Sequence, residues 1–326
     1  MRVVAITGAS AGIGRATARA FARRGDAVAL MAREPARLEA AAREIERDGG
    51  RALAVPLDVA DAAAVAAAAE RIEAELGPID VWVNCAMSAV LAPVHETTAE
   101  EFRRVTEVSY LGFVHGTLAV LPRMRARDRG VIVMVGSALA YRAIPLQATY
   151  CASKHAVRGF ADSLRVELMA EKSGVRVTSV HLPGLNTPQF EWVRTTLRRH
   201  PQPVPPIYQP EVAADAIVHA AAHPRREWFV GGSTVATIAG NKLAPRVADR
   251  YLARTNIDAQ QSDVPIPADR PDYLFSPLPG DRGAHGPFDD RATARSPVWW
   301  ATKHRARLAA GAAGAAVLAA GLLARR

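Results

Sequence analysis

Residues 3–14 read Val3-Val4-Ala5-Ile6-Thr7-Gly8-Ala9-Ser10-Ala11-Gly12-Ile13-Gly14. The apolar run Val3–Ile6 predicts a buried strand, and the glycines after it predict a tight turn into a helix that opens at about Gly12. Glycine lets the main chain approach a pyrophosphate with no Cβ in the way, and a helix amino-terminus offers unpaired N–H groups to the anion. A glycine trio alone marks only a turn. Its place between a first strand and a first helix makes it a nucleotide-binding motif.

Working outward, short apolar runs recur at 27–31, 52–55, 81–83, 131–135, 175–180 and 228–230. Each has the continuous apolar character of a strand covered on both faces. Alanine-rich helical patterns at 15–24, 39–47, 62–76 and 152–171 alternate with them. The order predicts βα units in a doubly wound, parallel α/β sheet of about seven strands, a Rossmann fold. No repeat at a solenoid period is present.

Composition narrows the class. The chain has 326 residues, 49% hydrophobic and 22% charged, which excludes a disordered, collagen-like or multi-span membrane protein. Two cysteines, Cys85 and Cys151, exclude a disulfide scaffold and fit a reducing compartment. Arg2 leads directly into the first strand, so no leader is expected. The net charge of +9 suggests nucleic acid, but six basic and no acidic residues lie from Arg295 onward. About +3 remains for the other 294 residues, too little for a phosphate-binding surface, so no nucleic-acid partner is expected.

The chemistry centres on Ser137, after the fifth strand, and on Tyr150-Cys-Ala-Ser-Lys154 thirteen residues on. On a helix, Tyr150 and Lys154 are four apart and share a face. An ammonium group there lowers a phenol pKa from about 10 towards a useful range, and a nearby serine can donate to a substrate oxygen as charge develops. Each residue alone reads as a buried tyrosine, a solvated lysine or a turn serine; the combination reads as a catalytic site.

The glycine spacing, with these residues in this order, resembles the short-chain dehydrogenase/reductase family over about residues 1–255. The resemblance implies an oxidoreductase interconverting a carbonyl and a secondary alcohol, with Tyr150 as general acid/base, Lys154 also binding the nicotinamide ribose, and Ser137 orienting the carbonyl. It implies that Gly8, Ser10, Gly12, Ile13 and Gly14 hold the cofactor phosphates and that Asp58 and Val59 contact the adenine. Asn84-Cys85-Ala86-Met87 stands where the family usually has Asn-Asn-Ala-Gly, placing Asn84 and Ala86 at the cofactor. Pro183, Gly184 and Thr187 follow the sixth strand, with Thr187 on the carboxamide. Dimers or tetramers are the family's usual assemblies.

Three residues depart from the pattern. Val108-Ser109-Tyr110-Leu111-Gly112 carries serine where the family has a relay asparagine, so Ser109 is the expected fourth catalytic residue. Cys85 replaces an asparagine and Met87 a glycine. These changes keep open a reading from another class, a nucleotide-binding regulatory or scaffold protein without turnover. At the end of the second strand, Ala32 removes the carboxylate of an NAD site and Arg33 offers a phosphate-matched guanidinium, which points to NADP(H) over NAD(H). The bland alternative is a surface arginine. Cys151 reads as a small buried residue, and His115, His155 and His181 lack metal-ligand spacing, so no metal is expected.

The substrate pocket is expected from residues 88–95, 138–147 and 185–209, including Leu139, Tyr141, Ile144, Leu146, Phe190, Trp192 and Leu197. This apolar set favours an apolar or lipid-like small molecule. Arg194, Arg198 and Arg199 read either as anion contacts or as a solvated helix face. Residues 256–298, with seven prolines, read as an extended linker or a loop draped on the domain. From 299 onward come Trp299-Trp300, a basic cluster and a charge-free run at 308–324. As a helix that run spans about 25 Å, and the tryptophans and arginines resemble an interfacial belt, so membrane association with a cytoplasmic catalytic domain is expected. A surface-lying helix, a dimer contact and a frayed tail are the alternatives.

Overall fold

A computed structural model describes residues 1–267, 269–308 and 310. Seven parallel strands form the central sheet: β1 (Val3–Thr7), β2 (Ala27–Ala32), β3 (Arg51–Pro56), β4 (Ile79–Asn84), β5 (Gly130–Ser137), β6 (Val175–Leu182) and β7 (Glu227–Phe229). Their order across the sheet is β7-β6-β5-β4-β1-β2-β3, so the winding reverses between β1 and β4. A crevice at the carboxyl ends of those two strands is where such a sheet binds ligand.

Side-chain alternation splits the core in two. Val4 and Ile6 of β1 face one layer, with α1 (Gly12–Ala22), α2 (Pro35–Arg47) and later α7 (Pro210–Ala222). Val3 and Ala5 face the other, with α3 (Ala62–Leu76), α5 (Gly112–Ala126) and α6 (Ala148–Ala170), around the fully buried Trp82. A short α4 (Ala99–Thr106) is started by a Thr98/Glu101 capping box and runs into a π-helical turn at Glu107–Leu111. Small alanines let α1 and α7 approach: Ala16 and Ala214 share a buried cluster with Ala284.

Past β7 the chain forms α8 (Gly232–Leu243) and α9 (Pro245–Ala259). Residues 261–267 and 269–293 then wrap back over the domain, pairing Gln261–Pro265 with Arg199–Pro201 and Ala292–Thr293 with Ile207–Tyr208. The first residues of the expected linker, 256–259, lie inside α9.

The tail departs from expectation at Trp299. It lies in α10 (Pro297–Lys303), 4% exposed, with its ring edge-on to Trp228 and His219. Its Nε1 donates to Asp215 at 2.7 Å, and Lys303 pairs with the same carboxylate at 2.7 Å. Trp299 is therefore a core residue and Lys303 part of an ion pair, not a belt. Among the described residues no helix is long and apolar enough to cross a membrane. Most of the 308–324 run lies outside the described residues.

Candidate active site

The glycine loop is built for close approach. A Cβ on Gly14 would lie 2.2 Å from the Gly8 carbonyl oxygen, and one on Gly8, where φ is +70°, would lie 2.7 Å from the Ala86 Cα. Helix α1 starts with no side-chain cap and no carboxylate in its first turn; its Gly12 N–H donates to the Gly283 carbonyl at 3.1 Å, and the N–H groups of Ile13 and Gly14 are left for an anion. The residues present thus fit a dinucleotide diphosphate. Thr7 braces the loop's other wall: its Oγ1 accepts from the N–H of Cys85 at 2.9 Å and of Ala86 at 3.1 Å.

Two cavities meet here. One, of about 180 Å³, runs along Gly8, Ser10, Gly12, Arg33, Asp58 and Val59. The other, of about 440 Å³, holds Ser137, Tyr150, Lys154, Pro183, Gly184 and Thr187. Both touch Ile13, Cys85, Met87 and Thr187, so they are two ends of one cleft. The structure brings together every residue expected at the site except Asn84 and Ser109.

Asn84 is fully buried, with Oδ1 accepting from Trp82 Nε1 at 2.9 Å and Nδ2 donating to Thr117 Oγ1 at 3.3 Å. Its side chain ties β4 to α5 rather than reaching the cleft. Ser109 is also fully buried; its hydroxyl donates to the Ser88 carbonyl at 2.7 Å and accepts from the Ser88 N–H at 2.9 Å. Both of these bonds go to the loop after β4, so the side chain positions that loop.

Ser137 ends β5, and its Oγ accepts from the Leu139 N–H at 3.1 Å. Lys154 is 2% exposed; Nζ donates to the Val135 carbonyl at 2.8 Å and lies 4.5 Å from the Phe113 ring centroid and 5.5 Å from that of Tyr150. Burial drives its ammonium down to about 8. Burial pushes the Tyr150 phenol up from its ordinary value, and a hydrogen bond from Ser137 offsets only part of that. The lowering of the tyrosine expected from the lysine is not what sets its value; desolvation by burial is the largest cause, and it raises it. In the site as it stands, Tyr150 is a neutral phenol beside a lysine that titrates near pH 8. Burial likewise pushes Cys85 up to about 12 and Cys151 to about 11, so neither is a thiolate at neutral pH.

The wide cavity is lined as expected by Leu139, Ile144 and Phe190, and also by residues of α8 and α9 that the sequence reading did not include: Thr234, Thr237, Tyr251, Leu252 and Thr255. Tyr141 turns away to the Glu227 carboxylate, and Trp192 lines the narrow cavity instead. Arg194 and Arg199 lie on short strands rather than a helix, and each is paired: Arg194 with Glu101 at 2.8 Å and Asp272 at 3.0 Å, Arg199 with Asp258 at 3.0 Å.

A further wall was not legible in the sequence. Tyr273, Pro277 and Leu278, from the proline-rich segment, line the narrow cavity. Arg33 donates to the carbonyls of Tyr273, Leu274 (3.3 Å) and Phe275 (3.1 Å). Asp58 pairs with Arg104 and accepts from the Ala60 N–H at 3.0 Å. The run Tyr273-Leu274-Phe275, an apolar trio among prolines, is the one signal that this segment docks.

Known proteins of the same build agree. The short chain dehydrogenase family profile matches residues 2–197. YxnA of Bacillus subtilis (strain 168), described as an uncharacterized oxidoreductase, is 33% identical over 266 residues, 81% of this chain and 75% of that protein. An alcohol dehydrogenase from Thermococcus sibiricus, complexed with 5-hydroxy-NADP, superposes with a TM-score of 0.60 at 29% identity, covering 71% of this chain and 95% of that one. L-sorbose reductase from Gluconobacter frateurii, complexed with NADPH and L-sorbose, gives 0.63 at 26% identity over 71% and 95%. With its glycine cradle, its seven-stranded parallel sheet and these relatives, the chain belongs to the short-chain dehydrogenase/reductase family of oxidoreductases.

Proposed function

We propose that this protein is an NADP(H)-dependent dehydrogenase/reductase that interconverts a carbonyl and a secondary alcohol on an apolar, lipid-like small molecule. The observation that carries the reading is the meeting of Ser137, Tyr150 and Lys154 in a cavity of about 440 Å³ whose wall carries Leu, Ile, Val, Phe and Pro side chains beside Ser, Thr, Gln and Asn. Arg33 on the narrow cavity and the NADP-bound relatives support the choice of phosphorylated cofactor.

A bound nicotinamide supplies the hydride donor or acceptor. Ser137 Oγ holds the substrate oxygen as charge develops on it. Tyr150 Oη gives its proton to that oxygen when a carbonyl is reduced and takes it back when an alcohol is oxidised. The resting phenol is the form suited to giving. Lys154, fixed on the Val135 carbonyl, holds a positive charge beside the phenol ring, and by family resemblance it would also bind the nicotinamide ribose. The glycine loop and the first turn of α1 would hold the diphosphate, with Pro183, Gly184 and Thr187 at the nicotinamide end.

The alternative of a fold-retaining scaffold has no observation in its favour. The test is a panel of apolar ketones and secondary alcohols read by NADPH absorbance, run in parallel with NADH. Turnover of polar sugars only, or of nothing, would contradict the substrate class. The 308–324 run remains, on its sequence alone, a proposed membrane attachment that leaves the catalytic domain on the cytoplasmic side. Fractionation of full-length protein beside a version ending near Thr293 tests it, and equal solubility would refute it.

A further inference from the structure

Residues 272–283 cross the mouth of the narrow cavity as a strap, and what they bind is the donor set that faces the adenosine end. Arg33 spends both terminal nitrogens on the carbonyls of Tyr273, Leu274 and Phe275. Arg37, one turn into α2, spends Nε on the Gly280 carbonyl at 2.6 Å and Nη2 on those of Leu278 and Pro279. Arg104 adds a bond from Nε to the Leu274 carbonyl at 3.1 Å. Even the Gly12 N–H, at the start of α1, donates to Gly283 at 3.1 Å. The strap is anchored separately through side chains: that of Leu274 is fully buried with Val90, Ala92 and Val105, Asp272 pairs with Arg194, and Asp281 pairs with Arg15.

These acceptors are neutral carbonyls set against cations, with no carboxylate of the strap on Arg33 or Arg37. A guanidinium has five N–H donors in a fixed fork that matches a phosphate bidentately, and a phosphate dianion adds a charge–charge attraction that a neutral carbonyl lacks. The same donors cannot serve both. We propose that the strap is a specificity-determining element that competes with the 2′-phosphate of NADP(H) for Arg33 and Arg37. NADP(H) must lift the 273–280 carbonyls to bind, whereas a cofactor without the 2′-phosphate leaves them in place. The inference rests on the reading of Arg33 as the 2′-phosphate contact.

The test measures Kd for NADP⁺ and NAD⁺ by calorimetry on the full chain, on Arg33→Ala, and on Leu274→Ala/Asp281→Ala, which loosens the strap without touching a donor in α2 or at Arg33. The Kd(NAD⁺)/Kd(NADP⁺) ratio should fall at least tenfold in Arg33→Ala and rise at least tenfold in the loosened strap. A ratio that falls in Arg33→Ala but is unchanged or lower in the strap variant overturns the competition and leaves the cofactor reading standing. A ratio indifferent to Arg33→Ala overturns the cofactor reading and the competition with it. Hydrogen exchange on the unaltered chain decides the matter if the double variant does not fold. Amides of 272–283 should exchange faster with saturating NADP⁺ than with NAD⁺, and slower exchange with NADP⁺ would show a clamp, not a competitor.

Discussion

Lys154 donates its ammonium to the main-chain carbonyl of Val135 at 2.8 Å, deep under α6, with the Phe113 ring as its other close neighbour. A cation is thereby held in an apolar layer, and its pKa falls from 10.5 to about 8. The folded state binds fewer protons than the unfolded chain between those values, so the penalty for burial is full below about pH 8 and is lifted as pH rises towards 10.5. The stability of the wild type relative to Lys154→Met should therefore increase by on the order of 2–3 kcal/mol from pH 7 to 10.5. Urea denaturation of both proteins across that range measures it, and a pH-independent difference would contradict the buried cation.

Ser109 and Ser88 make the second prediction. The serine hydroxyl satisfies both main-chain groups of Ser88, so Ser109→Ala leaves a buried N–H and carbonyl without partners. The expected loss is about 1–3 kcal/mol of stability, with kcat falling less than tenfold. A drop of 10²-fold in kcat with unchanged stability would restore the relay role.

Gly14→Ala should break the cofactor cradle, because its Cβ would overlap the Gly8 carbonyl oxygen. NADP⁺ affinity should fall at least tenfold and the Tm should drop. Gly159→Ala, on an exposed stretch of α6 where a Cβ meets nothing within 4 Å, is the control and should gain about 0.5–1 kcal/mol. Equal behaviour of the two variants would refute the steric account.

Trp299→Ala should destabilise the fold by about 3–5 kcal/mol, as loss of a large core side chain does. It also strips Asp215 of one donor. A thermal melt decides between this and an interfacial role, for which the Tm would not move.

The parallel strands were legible because burial on both faces writes continuous apolar runs, and β1 to β7 fall within two residues of those runs. The positions of Ser137, Tyr150 and Lys154 were legible from order and spacing. At Asn84 and Ser109 the motif fixes only a backbone position, while Trp82 and the Ser88 main chain decide where each side chain bonds. The strap was hidden for a deeper reason. It binds Arg33 and Arg37 through main-chain carbonyls, which every residue carries, so its sequence need hold no polar signature. Trp299 beside Trp300 looked like a belt because a pair of tryptophans before basic residues has the same composition in either setting.

The account turns on Tyr150 Oη as the atom that exchanges the substrate proton. Single-turnover and steady-state rates of Tyr150→Phe, with any substrate the wild type accepts, test this most directly. Phenylalanine keeps the ring against the Lys154 ammonium and removes only the hydroxyl. The prediction is NADPH binding within about threefold of wild type and a kcat lower by at least about 10²-fold. Near-native kcat in that variant would contradict the claim.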